Sequence, residues 1–382
     1  GFKGEPRDRY KEVIKAINQF KEKFGKVIIS VDIPSGLEGD TGKAIECINA
    51  DYTITFGYPK LGHFLFDGIK YCGNVFIKDI GFPKDIVYNN LKVKRFLIEE
   101  KDVVLPQRKR WFHKGKYGKV LVISGSLGFS GACSFVCNGA YKVGAGLVYA
   151  YVPKEINNVI DNLCPETVVF SPEIYDFENF VKFMNENAKN FNVIAMGPGL
   201  GRNELTKKMV NYVLDKFSDK KIVLDADAVY MSDKNILRGK KNVVITPHPG
   251  EFAHAFGYDI SYLISNILRV VEGEVGGLGG GVIVAKGSPL TLISTVVNGE
   301  VYTYFNLEGN DGMATGGSGD VLTGIIAGLL AQGLSPLQAS ISGVFLHGRA
   351  GNMAMKKLNK YSVTASSILS FIPEAINSIL NI

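Results

Sequence analysis

The chemistry this sequence can support is densest at Gly309-Asn310-Asp311-Gly312-Met313-Ala314-Thr315-Gly316-Gly317-Ser318-Gly319-Asp320. A glycine-rich loop that opens a helix lets successive main-chain N–H groups converge on an anion, and the helix dipole adds to the attraction. Side chains there would keep a phosphate out. An acid at the helix start lies beside the bound phosphate, placed to accept a proton from an attacking hydroxyl. The plainer alternative is a tight turn capped by Asp320. The long apolar helix behind the loop favours the anion site: Val321, Leu322, Ile325, Ile326, Leu329 and Leu330 keep helical spacing, and Gly333 ends the run.

Four further segments could contribute. In Val284-Ala285-Lys286-Gly287-Ser288-Pro289-Leu290, the lysine offers a point charge for phosphate and Gly287 allows close backbone approach. Met196-Gly197-Pro198-Gly199-Leu200-Gly201 suits a close backbone–ligand contact, or a plain loop turn. In Thr246-Pro247-His248-Pro249-Gly250-Glu251-Phe252, a histidine between two prolines is held rigidly and cannot sit within a helix. In Leu224-Asp225-Ala226-Asp227-Ala228, two acids could support a metal or cap the next helix, and the residues alone leave both open.

Each segment follows an apolar run. Strands are expected at Val120–Ser124, Val148–Val152, Val193–Met196, Ile222–Leu224, Val243–Ile245 and Val282–Ala285, with helices between most of them. That alternation predicts an α/β domain with a mainly parallel sheet and ligands beyond the carboxyl ends of its strands. Upstream, Val13, Ile14, Ile17 and Phe20 predict a helix. Val27–Val31 reads as a strand buried on both faces, followed by strands at Tyr52–Phe56 and Asn74–Ile80. Pro106 and Arg108-Lys109-Arg110 mark a boundary, giving modules over 1–100 and 106–382.

The 382 residues suit two or three domains of ordinary globular composition, 46% hydrophobic and 21% charged. A net charge of +6 without runs of like charge suits anionic nucleotides and argues against nucleic acid as a partner. The five cysteines form no CxxC pair and read as reduced, buried thiols rather than zinc ligands. No apolar run reaches bilayer length, so no membrane partner and a soluble, cytoplasmic protein are expected.

Taken together, Gly115-Lys116-Tyr117-Gly118, Gly125-Ser126 with Ser130-Gly131-Ala132, Gly144-Ala145-Gly146-Leu147 and the segments above resemble the NAD(P)H-hydrate dehydratase family in order, over roughly residues 106–380. The resemblance implies a ribokinase-like fold and a nucleotide-dependent dehydration of hydrated NADH and NADPH. Lys286, Gly287, Ser288, Pro289, Leu290 and Thr291 would hold ADP or ATP. So would Asn310, Thr315, Gly316, Gly317, Ser318 and Gly319 of the Gly309–Gly319 loop. Ala132, Gly199, Gly201 and His248 would contact the hydrated dinucleotide. Asp320 would touch it as catalytic base, and Mg²⁺ would span the nucleotide phosphates. Asp311 stands where the family carries proline, adding a negative charge near the phosphates; Ser367 stands where many relatives carry an acid.

Val31-Asp32-Ile33-Pro34-Ser35-Gly36-Leu37, Thr55–Gly62 and Asp79–Pro83 resemble the C-terminal half of the NAD(P)H-hydrate epimerase family, whose fold is Rossmann-like. The resemblance implies Asp32 as acid/base and substrate contact, Ser35 as a potassium ligand, and Gly1 and Gly4 as the tail of a pyrophosphate loop. Without it, Asp32 is as well a turn cap. The upstream half of that family has no counterpart here, so the chain is expected to open inside a partial module. A homo-oligomer is the expected assembly. Rival readings are a sugar or hydroxymethylpyrimidine kinase of the same fold, and a non-catalytic nucleotide sensor.

Overall fold

The computed structural model describes residues 6–83, 85–87, 92–287 and 290–380. The chain forms two compact units, Gly1–Val93 and Lys94–Ile382.

In the first unit, helix α1 (Asp8–Phe24) ends at Gly25, whose left-handed φ of 60° closes the last turn. Strands β1 (Ile29–Val31), β2 (Tyr52–Phe56) and β3 (Asn74–Lys78) form a parallel sheet in that order. The expected burial of the first strand on both faces does not hold. Ile29 and Val31 are 57% and 69% exposed, and only the Ser30 side is covered. β1 is an edge strand whose other face meets no cover among the described residues. On α1, likewise, Ile14 is buried while Val13, Ile17 and Phe20 are exposed. Two small clusters hold this unit together, Ile33–Leu37–Cys47–Cys72 and Ile14–Ile48–Ala50.

The second unit starts earlier than the basic run at 108–110 suggested. Strand β4 (Arg95–Leu97) pairs with the far edge of the large sheet, so residues 94–105 belong with it rather than with the first module. The remaining strands are β5 (Lys119–Ile123), β6 (Leu147–Tyr151), β7 (Val168–Phe170), β8 (Val193–Met196), β9 (Lys221–Leu224), β10 (Val243–Ile245), β11 (Val282–Ala285), β12 (Thr291–Val297) and β13 (Glu300–Asn306). Their order is β4-β13-β12-β11-β10-β9-β8-β5-β6-β7. From β7 to β11 every pairing is parallel, and β12 and β13 add an antiparallel hairpin.

Chain order reverses between β5 and β8, which opens a crevice at the carboxyl edge. Register then fixes which loops meet. Ile123 lies opposite Met196, Met196 opposite Leu224, and Leu224 opposite Ile245. The residues that follow, Ser124, Gly197, Asp225 and Thr246, therefore leave the sheet side by side. The central strands are buried on both faces, as a sheet covered by helices requires.

The helices that position the site are α2 (Ser130–Lys142), α3 (Ala226–Tyr230), α4 (Pro249–Phe256), α5 (Ser318–Ala331) and α6 (Pro336–Leu358). Helix α5 is buried along most of its length and packs into one core cluster with α2, α6 and the sheet. Among the described residues no helix is long and apolar enough to cross a membrane, and all five cysteines are free and buried.

Candidate functional site

The glycine loop delivers its backbone to the start of α5. Gly317 caps the helix with a left-handed φ of 87°, and a Cβ there would press on the Phe135 ring at 2.7 Å. Around a Cβ at Gly316 there is open space. Gly319 is needed for a different reason: a methyl group on it would stand 3.1 Å from Lys286 Nζ. The lysine head thus lies directly against the first turn of the helix.

Lys286 does not stand free. Its ammonium lies 2.5 Å from Asp225 Oδ1, and Thr323 Oγ1 donates to Asp225 Oδ2 at 2.7 Å. Burial works against the lysine's charge, yet the carboxylates of Asp225, Glu251 and Asp320 outweigh it and raise its pKa. Asp320, one residue beyond Gly319, faces the same group. Burial, then repulsion from Asp225, with Glu251 and Asp227 adding and Lys286 opposing, pushes its carboxyl up to about 7. A carboxyl so tuned is ionised over the upper half of the physiological range and still basic enough to accept a proton.

The two acids after β9 do not cap the next helix through their side chains. Asp225 occupies the N-cap position of α3 but makes no side-chain cap, because both of its oxygens are engaged inward. Asp227 turns the other way. It accepts from the Gly201 backbone N–H at 2.8 Å and from Arg202 Nε at 3.1 Å. Arg202 also lies over Tyr230 at 3.9 Å, and Tyr230 stacks on His254. Among the described residues no group of three acidic, histidine or cysteine side chains could hold a metal.

On one side of Lys286 opens a cavity of about 470 Å³. Of the residues the sequence assigned to a nucleotide, Lys286, Gly287, Thr291, Asn310, Thr315, Ser318 and Gly319 line it. Gly316, Gly317 and Leu290 do not, and Leu290 is buried. Ser288 and Pro289 lie outside the described residues. His248, assigned to the dinucleotide, lines this cavity as well. It is the N-cap of α4, as the flanking prolines require: Nδ1 accepts from Gly250 N at 3.0 Å, and Nε2 lies 3.0 Å from Glu251. Asp311 is mostly exposed, does not line the cavity, and has Lys360 3.7 Å away, so its extra charge is offset there. Ser367 bonds locally, to Thr364 at the start of the last helix.

Ala132 and Gly199 meet where the loops after β5 and β8 come together, and Gly201 follows in the same loop as Gly199. A Cβ on Gly199 would touch Ala132 and Phe129, and Ser126 Oγ donates to the Gly199 carbonyl at 2.7 Å. The Gly125 N–H donates to the Pro198 carbonyl at 2.8 Å, tying the two loops together.

Several contributors had escaped the sequence reading. Asn310 is oriented by Asn352, whose amide donates to Glu308, itself paired with Arg349. His347 meets Ser318 Oγ at 3.3 Å, and burial lowers its pKa to about 4, so it stays neutral. Asn306 lines the cavity, and its Oδ1 is buried without a hydrogen-bond partner among the described residues. Polar residues interrupting an apolar helix at His347, Arg349 and Asn352 were the available signal.

In the first unit, Asp32 has a φ of 66°, rare for a non-glycine residue. Its carboxylate accepts from Thr55 Oγ1 at 3.0 Å and pairs with Lys60. Burial resists ionisation, but the bonds from Lys60 and Thr55 outweigh it and hold the carboxyl below its usual range. His63 accepts the Lys60 N–H through Nδ1, which leaves Nε2 to donate to the Asp32 carbonyl at 2.9 Å. Ser35 is exposed. Gly1 and Gly4 lie outside the described residues.

Comparison with known proteins agrees with this geometry. A family profile described as NAD(P)H-hydrate dehydratase matches residues 120–374, and one described as YjeF-related protein N-terminus matches residues 1–62. The bifunctional NAD(P)H-hydrate repair enzyme Nnr of Moorella thermoacetica is 36% identical over 99% of this chain and 71% of its own length. The corresponding Escherichia coli enzyme is 32% identical over 99% and 70%. Among solved structures, the ADP/ATP-dependent NAD(P)H-hydrate dehydratase of Bacillus subtilis, co-crystallized with ATP/Mg²⁺, superposes with a TM-score of 0.62 at 26% identity, covering 74% of this chain and 98% of that one. A ribokinase-like superfamily protein of Enterococcus faecalis gives 0.64 at 26% identity, covering 75% and 96%.

Proposed function

This chain belongs to the NAD(P)H-hydrate dehydratase family, and we propose that its second unit repairs hydrated NADH and NADPH by transient phosphorylation. Hydroxide is a poor leaving group from the hydrated nicotinamide ring. Asp320 takes the proton of that hydroxyl as its oxygen attacks the terminal phosphorus of ATP or ADP, and the bond to the departing ADP or AMP breaks. The ring nitrogen lone pair then expels inorganic phosphate. Loss of a proton from the neighbouring ring carbon restores the dihydronicotinamide. The main-chain amides at the start of α5, at Ser318 and Gly319, and the Lys286 ammonium stabilise the charge that builds on the phosphoryl oxygens.

The observation that carries this reading is the cavity that Lys286, Ser318 and Gly319 line at the start of α5, with Asp320 on the same first helical turn and within reach of the Lys286 charge. The cavity takes the nucleotide, and the crevice, with Ala132, Gly199 and Gly201, takes the hydrate. His248 stands on the cavity wall near the proposed transfer point. Magnesium would arrive on the nucleotide phosphates, as it commonly does. A cytoplasmic setting fits the five free thiols. Assembly as a homo-oligomer belongs to the same reading and is checked by sedimentation velocity.

For the first unit we propose the hydrate-epimerising role of its family, with Asp32 as acid/base held ionised by Lys60. Ser35 would lend its hydroxyl to a potassium site of that module, and no step is routed through the ion.

The test is incubation with (S)-hydrated NADH and either ADP or ATP with Mg²⁺, following the return of dihydronicotinamide absorbance. Recovery with stoichiometric phosphate release supports the reading. A stable phosphorylated product, or nucleotide binding without turnover, overturns it. Repeating the assay with only the R hydrate reads the first unit.

A further inference from the structure

We infer that Asp225 is the positioning residue that sets Lys286 against the phosphate loop, acting through its charge rather than its shape. The inference rests on the proposed phosphoryl transfer for its purpose, but not for its evidence. The Asp225 side chain is 1% exposed, and each of its oxygens has one partner: Lys286 Nζ at 2.5 Å and Thr323 Oγ1 at 2.7 Å. Those partners come from the loop after β11 and from inside α5, so one carboxylate ties a lysine to the helix whose first turn it must serve.

The backbone is shaped for that inward turn. Ala226 takes a φ of 49°, uncommon for a residue with a Cβ, and Asp225 forgoes capping α3. The Asp225 N–H donates to the Met196 carbonyl at 3.1 Å, and the Lys286 N–H to the Pro247 carbonyl at 2.9 Å, so both main chains are pinned before the side chains meet. A buried ion pair is costly to desolvate, and an apolar pair would fill the space as well. A lysine on a flexible four-carbon stem, however, needs a fixed counter-charge to hold one position. A metal-binding role for Asp225 is disfavoured by the ammonium already on Oδ1.

A consequence falls on Asp320. The charged groups facing it are Asp225, Lys286, Glu251 on α4 and Asp227 on α3. Removing the Asp225 charge takes away a nearby repulsion, so Asp320 ionises at lower pH.

The experiment is a double-mutant cycle of Asp225→Asn and Lys286→Met on the full chain, read by calorimetric binding of ATP–Mg²⁺ and by the pH profile of kcat/KM for the hydrate. Each single substitution is expected to weaken ATP binding about tenfold or more, and the pair no more than about threefold beyond the worse single, the signature of coupled residues. The acid limb of the Asp225→Asn profile moves to lower pH, which a merely structural role would not produce. ATP affinity within twofold of wild type, or losses that multiply in the double variant, would overturn the assignment. So would a changed Mg²⁺ requirement in Asp225→Asn alone, which makes Asp225 a metal ligand. If Asp225→Asn does not fold, Thr323→Val removes the second anchor, and the same cycle with Lys286→Met decides. Should wild type bind ATP but not turn over the hydrate, the proposed function fails, and the calorimetric cycle still judges Asp225.

Discussion

A carboxylate that takes a proton from an alcohol works best when its own hold on that proton is neither negligible nor complete. Asp320, pushed to about 7 by burial and by Asp225, meets that condition. As the proposed base it must be ionised, so kcat/KM should fall about tenfold per pH unit below 7 and level off above it. Asp320→Asn should lower turnover by about 10²–10⁴-fold with nucleotide affinity retained, as absorbance and calorimetry would report. The same residue weakens the fold. Its folded pKa lies above the ordinary 3.8, so its contribution to stability is complete below about pH 4 and is lost as the pH rises through 7. Asp320→Asn should therefore melt several degrees higher than wild type at pH 8, with the gain vanishing near pH 4 in scanning calorimetry. An equal gain at both pH values would show that charge is not the cause.

At the level of elements, α5 reaches its place because α2 lets it come close. A Cβ on Gly324 would overlap the Val136 carbonyl, and one on Gly139 would stand 2.7 Å from the Val321 carbonyl. Helices meeting backbone to backbone leave no room for a methyl group. Gly324→Ala should cost about 1–3 kcal/mol or more in urea denaturation. Gly319→Ala, by contrast, should leave stability nearly unchanged and weaken nucleotide binding by displacing Lys286. Most of the parallel strands were legible because each is a short apolar run ending in a glycine, acid or proline segment; Val193–Met196, Val243–Ile245 and Val282–Ala285 fall where the sequence puts them, while the three-residue β7 (Val168–Phe170) was missed. The β12–β13 hairpin was missed although Asn298-Gly299, both with positive φ, is its turn signal. β4 is three residues long and owes its state to β13, which no local pattern reveals. The pairing of Asp225 with Lys286 is equally invisible in sequence, since it depends on register across three strands.

Across the whole molecule the two units differ in how much they bury. The second is built on one large cluster spanning the sheet and α2, α5 and α6. The first relies on two small ones and leaves Ile29, Val31 and Phe76 of its sheet exposed. Limited proteolysis should consequently degrade the first unit before the second, leaving a fragment from about residue 94 that keeps dehydratase activity; simultaneous loss of both would contradict this. The Asp225-Ala226-Asp227 turn spans the two proposed ligand sides of the second unit, one carboxylate gripping Lys286 and the other the Gly201 amide. A shift of the turn at one end is therefore carried to the other. If nucleotide holds the turn in the form that favours the hydrate, thermodynamics obliges the hydrate to raise nucleotide affinity by the same factor. A damaged cofactor would thereby recruit its own phosphoryl donor, and an idle enzyme would hold adenine nucleotides only loosely.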